Sequence, residues 1–123
     1  MTISVAITSL DELKHNTYGQ PDKVGWLSRL DMKIRTEIID THEDAPSSAF
    51  EGYDDSTDLN TELLVPAPYH DVYLRYMETQ IDYLNGEYGR YNNSMTMFNA
   101  AYSNYERYYN RTHMPLGKNK KYF

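Results

Sequence analysis

Few residues in this sequence have the types and spacing that catalysis or metal binding requires. Its four histidines lie far apart, at positions 15, 42, 70 and 113, and their positions favour surface or helix-capping roles. Glu78 and Asp82 are four residues apart, a spacing that places two carboxylates on one helix face as an acid–base or metal-binding pair. One such pair among 18 acidic residues is weak support for a site. Nothing resembles a phosphate-binding glycine loop, a nucleophile elbow or a metalloprotease histidine pair, so we expect neither enzymatic activity nor a cofactor.

The stretch Asp54-x-Ser56-x-Asp58-x-Asn60 begins like a calcium-binding loop. The glycine expected after Asp58 is replaced by Leu59, and Val65 stands where the bidentate glutamate belongs. We therefore favour an acidic loop without a specific calcium site.

Arg90, Arg107 and Arg111 are interleaved with aromatic residues that could stack on the bases of a single strand. Helix packing explains the spacing of these tyrosines more economically. A net charge of −6 also disfavours tight binding to a phosphate backbone. We therefore do not favour direct nucleic-acid recognition.

The absence of cysteine excludes disulfide frameworks and thiol catalysis. No uncharged apolar run approaches the roughly 20 residues that a membrane span needs. The N-terminal segment lacks the basic residue of a signal peptide. We expect a soluble protein that is not exported and has no membrane partner.

Acidic and basic residues are segregated along the chain. Residues 1–62 contain thirteen acidic and five basic residues, whereas residues 63–123 contain five acidic and seven basic ones. Eight acidic residues and no Lys or Arg lie between Asp40 and Glu62, and five basic residues and no acidic one follow from Arg107 onward. This pattern favours either head-to-tail contact between copies, steered by complementary potentials, or a solvated acidic loop with a solvated basic tail.

Tyrosine replaces much of the aliphatic core expected of a chain of 123 residues. There are 13 tyrosines, and Ile, Leu, Val and Phe together make up fewer than a fifth of the sequence. Tyrosine suits surfaces that are apolar on one side and wet on the other, because its buried hydroxyl needs a partner. We therefore expect a thin core, or a core completed by other subunits.

Apolar residues at spacings of three and four predict a single all-α domain with two long C-terminal helices in an antiparallel pair. Ser9–Glu12 has the form of a capping box for the first helix, and residues 2–7 have strand-like character. Gly86 leaves open whether the third helix ends at Leu84 or continues to residue 91, and the tyrosine spacing favours continuation, with a turn at 92–93. The predicted helices span residues 10–15, 21–41, 69–91 and 94–113.

Residues 43–61 are rich in Asp, Ser, Gly and Pro and have no apolar period, which predicts a long acidic loop. Loops of this length within small domains are usually functional or mobile. Phe50 and Tyr53 lie within it and suggest docking on another surface. A basic tail, residues 115–123, follows the last helix.

The segment from Glu62 to Pro115 resembles small proteins encoded among the head-morphogenesis genes of tailed bacteriophages and prophages of Gram-positive bacteria. The most specific elements are LLVPAPY at 63–69, YNNS at 91–94 and YYNRTHMP at 108–115. The earlier Trp26-Leu-Ser-Arg-Leu-Asp31 segment is similar to their N-terminal part. The family that the chain resembles is that of the head–tail connector, or adaptor, proteins.

This resemblance implies a virion protein of the head–tail neck, present in the host cytoplasm during assembly, that forms a homo-oligomeric ring of about twelve copies beneath the portal protein. Such a ring extends the DNA channel, through which DNA passes without sequence-specific binding, and provides a platform for stopper or tail proteins. A tail-side completion protein or a DNA-packaging accessory protein is the alternative. The family has no catalytic residues to carry over.

Two groups of residues are candidates for the interaction surfaces of such a protein. An acidic channel or inter-subunit loop would present Glu51, Asp54, Asp55 and Asp58. The candidate subunit or portal interface comprises Trp26, Phe50, Tyr53, Tyr73, Tyr76, Arg107, Arg111, Lys118, Lys120, Lys121, Tyr122 and Phe123.

Overall fold

The all-α fold class is confirmed by the structure, a computed structural model that describes residues 1–116. Within these residues there is no strand, and two isolated bridges join Thr2 to Glu62 and His42 to Pro115. The four helices are α1 (Ile3–Leu13), α2 (Gln20–Glu37), α3 (Asp71–Leu84) and α4 (Tyr88–Thr112), with a 3-10 turn at Ile39–Thr41 after α2.

Helix α1 begins earlier than the sequence predicts, so the capping box at Ser9–Glu12 and the strand-like reading of residues 2–7 are both wrong. The Thr2 hydroxyl caps the helix by accepting from the Val5 N–H at 3.2 Å. The N–H groups of Ile3 and Ser4 donate to the carbonyls of residues 61 and 59, at 3.1 and 2.9 Å. Because the later loop supplies these acceptors, the start of α1 depends on tertiary structure that local sequence does not reveal.

Helix α2 begins within one residue of its prediction but ends at Glu37, four residues before the predicted end, and the 3-10 turn occupies residues 39–41 instead. Pro21 lies in the first turn, where its missing N–H costs nothing, and Asp22 faces the positive end of the helix dipole. The apolar stripe of Val24, Leu27 and Leu30 is buried and continues through residues 34 and 38.

Helices α3 and α4 form the expected antiparallel pair, but the predicted continuation of α3 to residue 91 is wrong. Gly86 adopts a left-handed φ of +73°. Its N–H donates to the Tyr83 carbonyl at 3.1 Å, and the Glu87 N–H donates to the Asp82 carbonyl at 2.9 Å. This pair of bonds is a Schellman motif, which ends α3 at Leu84. The predicted turn at residues 92–93 lies inside α4 instead.

Helix α3 packs against α4, α2 and α1, and Phe98 and Tyr105 of α4 belong to the same buried core as the side chains of the other three helices. Ile3, Leu27 and Met77 are fully buried there, and Tyr73 and Tyr105 are the largest side chains so enclosed. Tyrosines thus fill part of the volume that aliphatic residues would usually occupy. In the described part of the chain, no helix has the length and apolarity needed to cross a membrane.

Candidate interaction surface

The segment between the 3-10 turn and α3 carries a concentration of negative charge. All eight acidic residues from Asp40 to Glu62 are exposed. Three of them have a cationic or ionisable partner: Asp40 pairs with Arg35, Asp44 lies 3.5 Å from His113 Nε2, and Glu62 pairs with the Met1 amino group. The other five have no ion pair within residues 1–116 and are called here the acidic surface: Glu43, Glu51, Asp54, Asp55 and Asp58.

Arg35 of α2 anchors the first part of this segment. Its Nε donates to Asp40 Oδ1 at 2.7 Å. An Nη atom also donates to the carbonyls of Pro46 and Ser48, at 2.9 and 2.5 Å. A single guanidinium therefore fixes the chain where it leaves the 3-10 turn, because its fork of donors reaches three acceptors at once.

A buried carboxylate anchors the second part. Asp31 of α2 is fully buried, and its Oδ2 accepts from the Tyr53 hydroxyl at 2.5 Å and the Leu64 N–H at 3.1 Å. Its Oδ1 accepts from the Tyr73 hydroxyl at 2.7 Å, and that hydroxyl accepts from the Val65 N–H at 2.8 Å. These groups, the Asp31 cluster, join α2, α3 and the intervening segment through one charged acceptor.

Burial raises the pKa of Asp31 above its usual value, and the hydrogen bonds from Tyr53 and Tyr73 oppose that shift. Burial, with the neighbouring carboxylate, also raises the pKa of both tyrosines far above their usual value. Both hydroxyls therefore remain protonated donors at neutral pH. The cluster is suited to holding the acidic surface in place rather than to proton transfer.

Gly52 allows the acidic segment to approach α2 closely. Its φ is +82°, and a Cβ atom there would lie 2.3 Å from Ser28 Oγ. The same Ser28 hydroxyl accepts from the Tyr53 N–H at 2.9 Å. The backbone is thus held against α2 at the point where Tyr53 turns inward, and the Phe50 ring packs edge-on against Tyr53 at 5.5 Å.

Two residues of the predicted interface are core residues instead. Trp26 is 4% exposed and packs edge-on against Tyr18, and Tyr73 is fully buried in the Asp31 cluster. Trp26 is buried because it precedes Leu30 by one helical turn, which widens the apolar face of α2. Neither side chain is available to a partner in this fold, so both are removed from the candidate interface.

The other predicted interface residues are divided between loop, helix and tail. Phe50 and Tyr53 are half-buried in the acidic segment, and Tyr76 is half-buried against Phe98 at 5.3 Å. Arg107 and Arg111 are exposed on the last turns of α4. Lys118, Lys120, Lys121, Tyr122 and Phe123 lie outside the described residues.

The predicted acidic residues Glu51, Asp54, Asp55 and Asp58 are all exposed and do not converge on a metal. Asp54 accepts hydrogen bonds from Ser56, which lower the pKa of its carboxyl, and Asp58 accepts from the Asn60 N–H at 2.9 Å. Residues 1–116 contain no group of three or more His, Cys, Asp or Glu side chains placed to hold an ion. All four carboxylates face solvent, and those of Asp54 and Asp58 also order their own turns.

The Glu78–Asp82 pair also has separate partners. Glu78 accepts from Arg75 at 2.9 Å, whereas buried Asp82 accepts from the Ser94 hydroxyl and faces Lys14 Nζ at 2.8 Å. The Lys14 contact lacks hydrogen-bond geometry, so it is an ion pair alone. Asp82 therefore joins α3 to α4 and to the end of α1, whereas Glu78 pairs within α3.

No family model, curated protein or solved structure matches this chain. A functional assignment therefore rests on the surfaces themselves and on the resemblance in the sequence.

The turn between α3 and α4 exposes an apolar patch that the list of candidate residues missed. Tyr83, Leu84 and Tyr88 are 55%, 54% and 62% exposed and form what we call the apolar tip. The Tyr83 ring contacts the rings of Tyr88 and Tyr91, at 6.1 and 5.4 Å between centroids. The sequence signal for this patch is the width of the tyrosine stripe on α3, because only part of so wide a stripe can face the core.

Asp31 and His42 were also missed as structural residues. Asp31 lies on the apolar stripe of α2, one turn beyond Leu27, and this position was the sequence signal for a buried carboxyl group that needs hydrogen-bond partners. His42, expected at the surface or as a helix cap, is buried, with Nε2 2.8 Å from Asn110 Oδ1 and Nδ1 2.6 Å from the carbonyl of Ile38, the C-cap residue of α2. Nothing in the sequence near His42 indicates its distant partner on α4.

Proposed function

We propose that this chain is a virion structural protein, a head–tail connector or adaptor. In this proposal it forms a ring beneath the portal, extends the DNA channel and provides a platform for stopper or tail attachment. It acts in the host cytoplasm during assembly and then in the neck of the virion, and it has no enzymatic activity.

The observation that carries the proposal is the fixed acidic surface. Its five carboxylates, which have no ion pair within residues 1–116, lie in a segment that Arg35 and the Asp31 cluster tie to α2. The last turns of α4 expose Arg107 and Arg111, and the sequence continues into three further lysines. A ring with head-to-tail interfaces needs two different, complementary patches on each subunit, and opposite charges supply them.

An acidic surface also suits the wall of a DNA channel. Carboxylates without cationic partners repel the phosphate backbone over about one Debye length, roughly 8 Å at physiological salt. Duplex DNA would then pass along the wall without adhering to it. The acidic residues left over from subunit contacts would serve this purpose.

The apolar tip supports a role in assembly by a different route. Its three side chains are more than half exposed. Covering exposed tyrosine and leucine side chains with a partner removes apolar surface from water and so contributes favourable binding free energy. The fold itself does not need them there, since the Schellman motif alone ends α3. A neighbouring subunit or the portal would cover this patch.

The proposal is tested by size-exclusion chromatography with light scattering, with and without the portal protein encoded in the same phage genome. We expect the isolated chain to be monomeric or weakly associated and to join the portal as a complex of about 24 chains, twelve of each protein. A stable monomer with no affinity for the portal would refute the proposal. Binding to isolated tails instead of portal would favour the tail-completion alternative.

A further inference from the structure

A groove lined by tyrosines opens beside the acidic segment, with a cavity of about 420 Å³. We call it the tyrosine groove, and its exposed or half-buried lining includes Asp44, Pro46, Pro66, Tyr108, Tyr109 and His113. This volume falls within the usual range for small-ligand sites, about 300–1,000 Å³, and can receive an aromatic side chain.

The walls of the groove are built from packed aromatic rings. The rings of Tyr109 and His113 are stacked in parallel at 3.7 Å, and the buried His42 ring packs edge-on against Tyr109 at 4.7 Å. Tyr105 closes the floor, with Tyr108 and Tyr109 at 6.2 and 5.9 Å. Such a surface favours aromatic guests by offset or edge-to-face contact and cations by attraction to the ring faces.

One acidic residue lines the mouth of the groove. Asp44 forms part of its lining, and Glu43 lies next to it in the chain without an ion pair in residues 1–116. The groove therefore fits a segment that combines positive charge with aromatic side chains. Residues 118–123, Lys-Asn-Lys-Lys-Tyr-Phe, have this composition.

We infer that the tyrosine groove of one copy receives the basic, aromatic segment 118–123 of the next copy in the ring. This inference rests on the proposed connector function and names the contact that would join its subunits. Tyr122 or Phe123 occupies the groove, while the lysines face Asp44 and Glu43. The contact is head-to-tail, as a closed ring requires.

The direction of the chain favours a neighbouring copy over the chain's own groove. The Glu43 N–H donates to the Met114 carbonyl, and the Leu116 N–H donates to the Thr41 carbonyl, each at 2.9 Å or less. This antiparallel pairing directs residues 114–116 towards residue 41, away from Asp44 and Pro46 at the mouth of the groove. A further six or seven residues span up to about 20–25 Å when extended, enough to reach an adjacent subunit.

Disulfide trapping tests this contact in the full chain, which contains no cysteine of its own. One protein carries Pro46→Cys and a second carries Tyr122→Cys, and the two are mixed and oxidised. We expect the Tyr122→Cys protein to form a disulfide dimer about tenfold faster with the Pro46→Cys protein than with a control protein carrying Asn92→Cys. This tenfold increase corresponds to about 1.4 kcal/mol of docking free energy. Asn92 is exposed on α4, roughly 20 Å along the helix from Tyr105. Equal rates with the two partners would overturn the inference.

A chain carrying both Pro46→Cys and Tyr122→Cys distinguishes the neighbouring copy from the chain's own groove. Linked dimers and longer multimers are expected, and an internal disulfide in a monomer would contradict the inference. Adding Phe123→Ala to the Tyr122→Cys protein should slow trapping severalfold, whereas an unchanged rate would also contradict it. If trapping fails while the portal complex forms, only the groove contact is wrong. If trapping succeeds without portal affinity, the connector function is wrong instead.

Discussion

The Tyr53 hydroxyl connects the acidic segment to a buried charge, so Tyr53→Phe tests how that segment is held. The variant keeps the ring and removes one donor, which lies 2.5 Å from Asp31 Oδ2. A hydrogen bond to a charged group contributes about 1.5–3 kcal/mol to stability. Asp31 keeps the donors Tyr73 and Leu64, so we expect a loss of about 2 kcal/mol rather than global unfolding. For a domain of this size, that loss lowers Tm by roughly 6–10 °C.

The loss should depend on pH in a defined direction. Burial makes the pKa of Asp31 higher in the folded state than its ordinary value of 3.8, so protonation favours folding. The contribution of Asp31 to stability is therefore fully present below about pH 3.8 and is lost as the pH rises through the raised pKa. The Tyr53 hydrogen bond lowers that pKa, and its removal raises it further. The destabilisation by Tyr53→Phe should accordingly be larger at pH 7 than at pH 4.

Urea unfolding followed by the fluorescence of Trp26, the single tryptophan of the chain, measures both effects. Trp26 is buried in the folded state and changes environment on unfolding. Tyr91→Phe is the matched control, because the Tyr91 hydroxyl has no hydrogen bond among the described residues, and we expect its effect to stay within about 0.5 kcal/mol. A Tyr53→Phe loss no greater than the control, or one that is larger at pH 4, would refute the role of the Asp31 cluster.

Three further predictions concern the acidic segment and the exposed surfaces. Gly52→Ala should lower the free energy of unfolding, measured in urea, by about 1–3 kcal/mol, because the φ of Gly52 is +82° and a Cβ atom there would contact Ser28. The control Gly89→Ala, which has open space around it in α4, should raise that free energy by about 0.5–1 kcal/mol, and equal effects of the two variants would contradict the close approach to α2. The double variant Asp55→Asn/Asp58→Asn should weaken self-association or portal binding by about tenfold at low salt, as measured by sedimentation velocity. The control double variant Glu12→Gln/Asp22→Asn removes the same charge elsewhere and should not weaken binding, so equal weakening by both would exclude a specific acidic contact. Tyr88→Ser should leave the free energy of unfolding within about 0.5 kcal/mol, since Tyr88 is 62% exposed, but should reduce portal binding; unchanged binding would exclude the apolar tip from the interface.

The sequence predicts the elements best where one helix face is buried along its whole length. The stripe of Val24, Leu27 and Leu30 identified α2, because burial follows directly from helical spacing, but the last predicted residues, 39–41, form a 3-10 turn instead. The start of α1 could not be predicted in the same way, since its first N–H groups bond to residues 59 and 61. The boundary between α3 and α4 depended on one glycine, and the aromatic period across Gly86 favoured the wrong alternative.

The charge of the candidate surface could be predicted from the sequence, but the hydrogen bonds that hold it in place could not. Exposure of Asp54, Asp55 and Asp58 follows from their charge and from the lack of an apolar period around them. The Asp31 cluster joins Asp31 to Tyr53 and Tyr73, which lie 22 and 42 positions later in the chain, and single-sequence patterns do not encode such pairing. Tyr73 was assigned to the interface because a tyrosine stripe looks the same whether it faces a partner or the core.

The connector proposal is tested most directly by a cryo-electron microscopy map of the neck of virions produced from the genome that encodes this chain. We expect a ring of about twelve copies directly beneath the portal. In that ring the acidic surface should face a neighbouring subunit or the DNA channel, and the apolar tip should be covered. Virions whose neck contains no copy of this chain, or whose copies lie only in the tail, would contradict it.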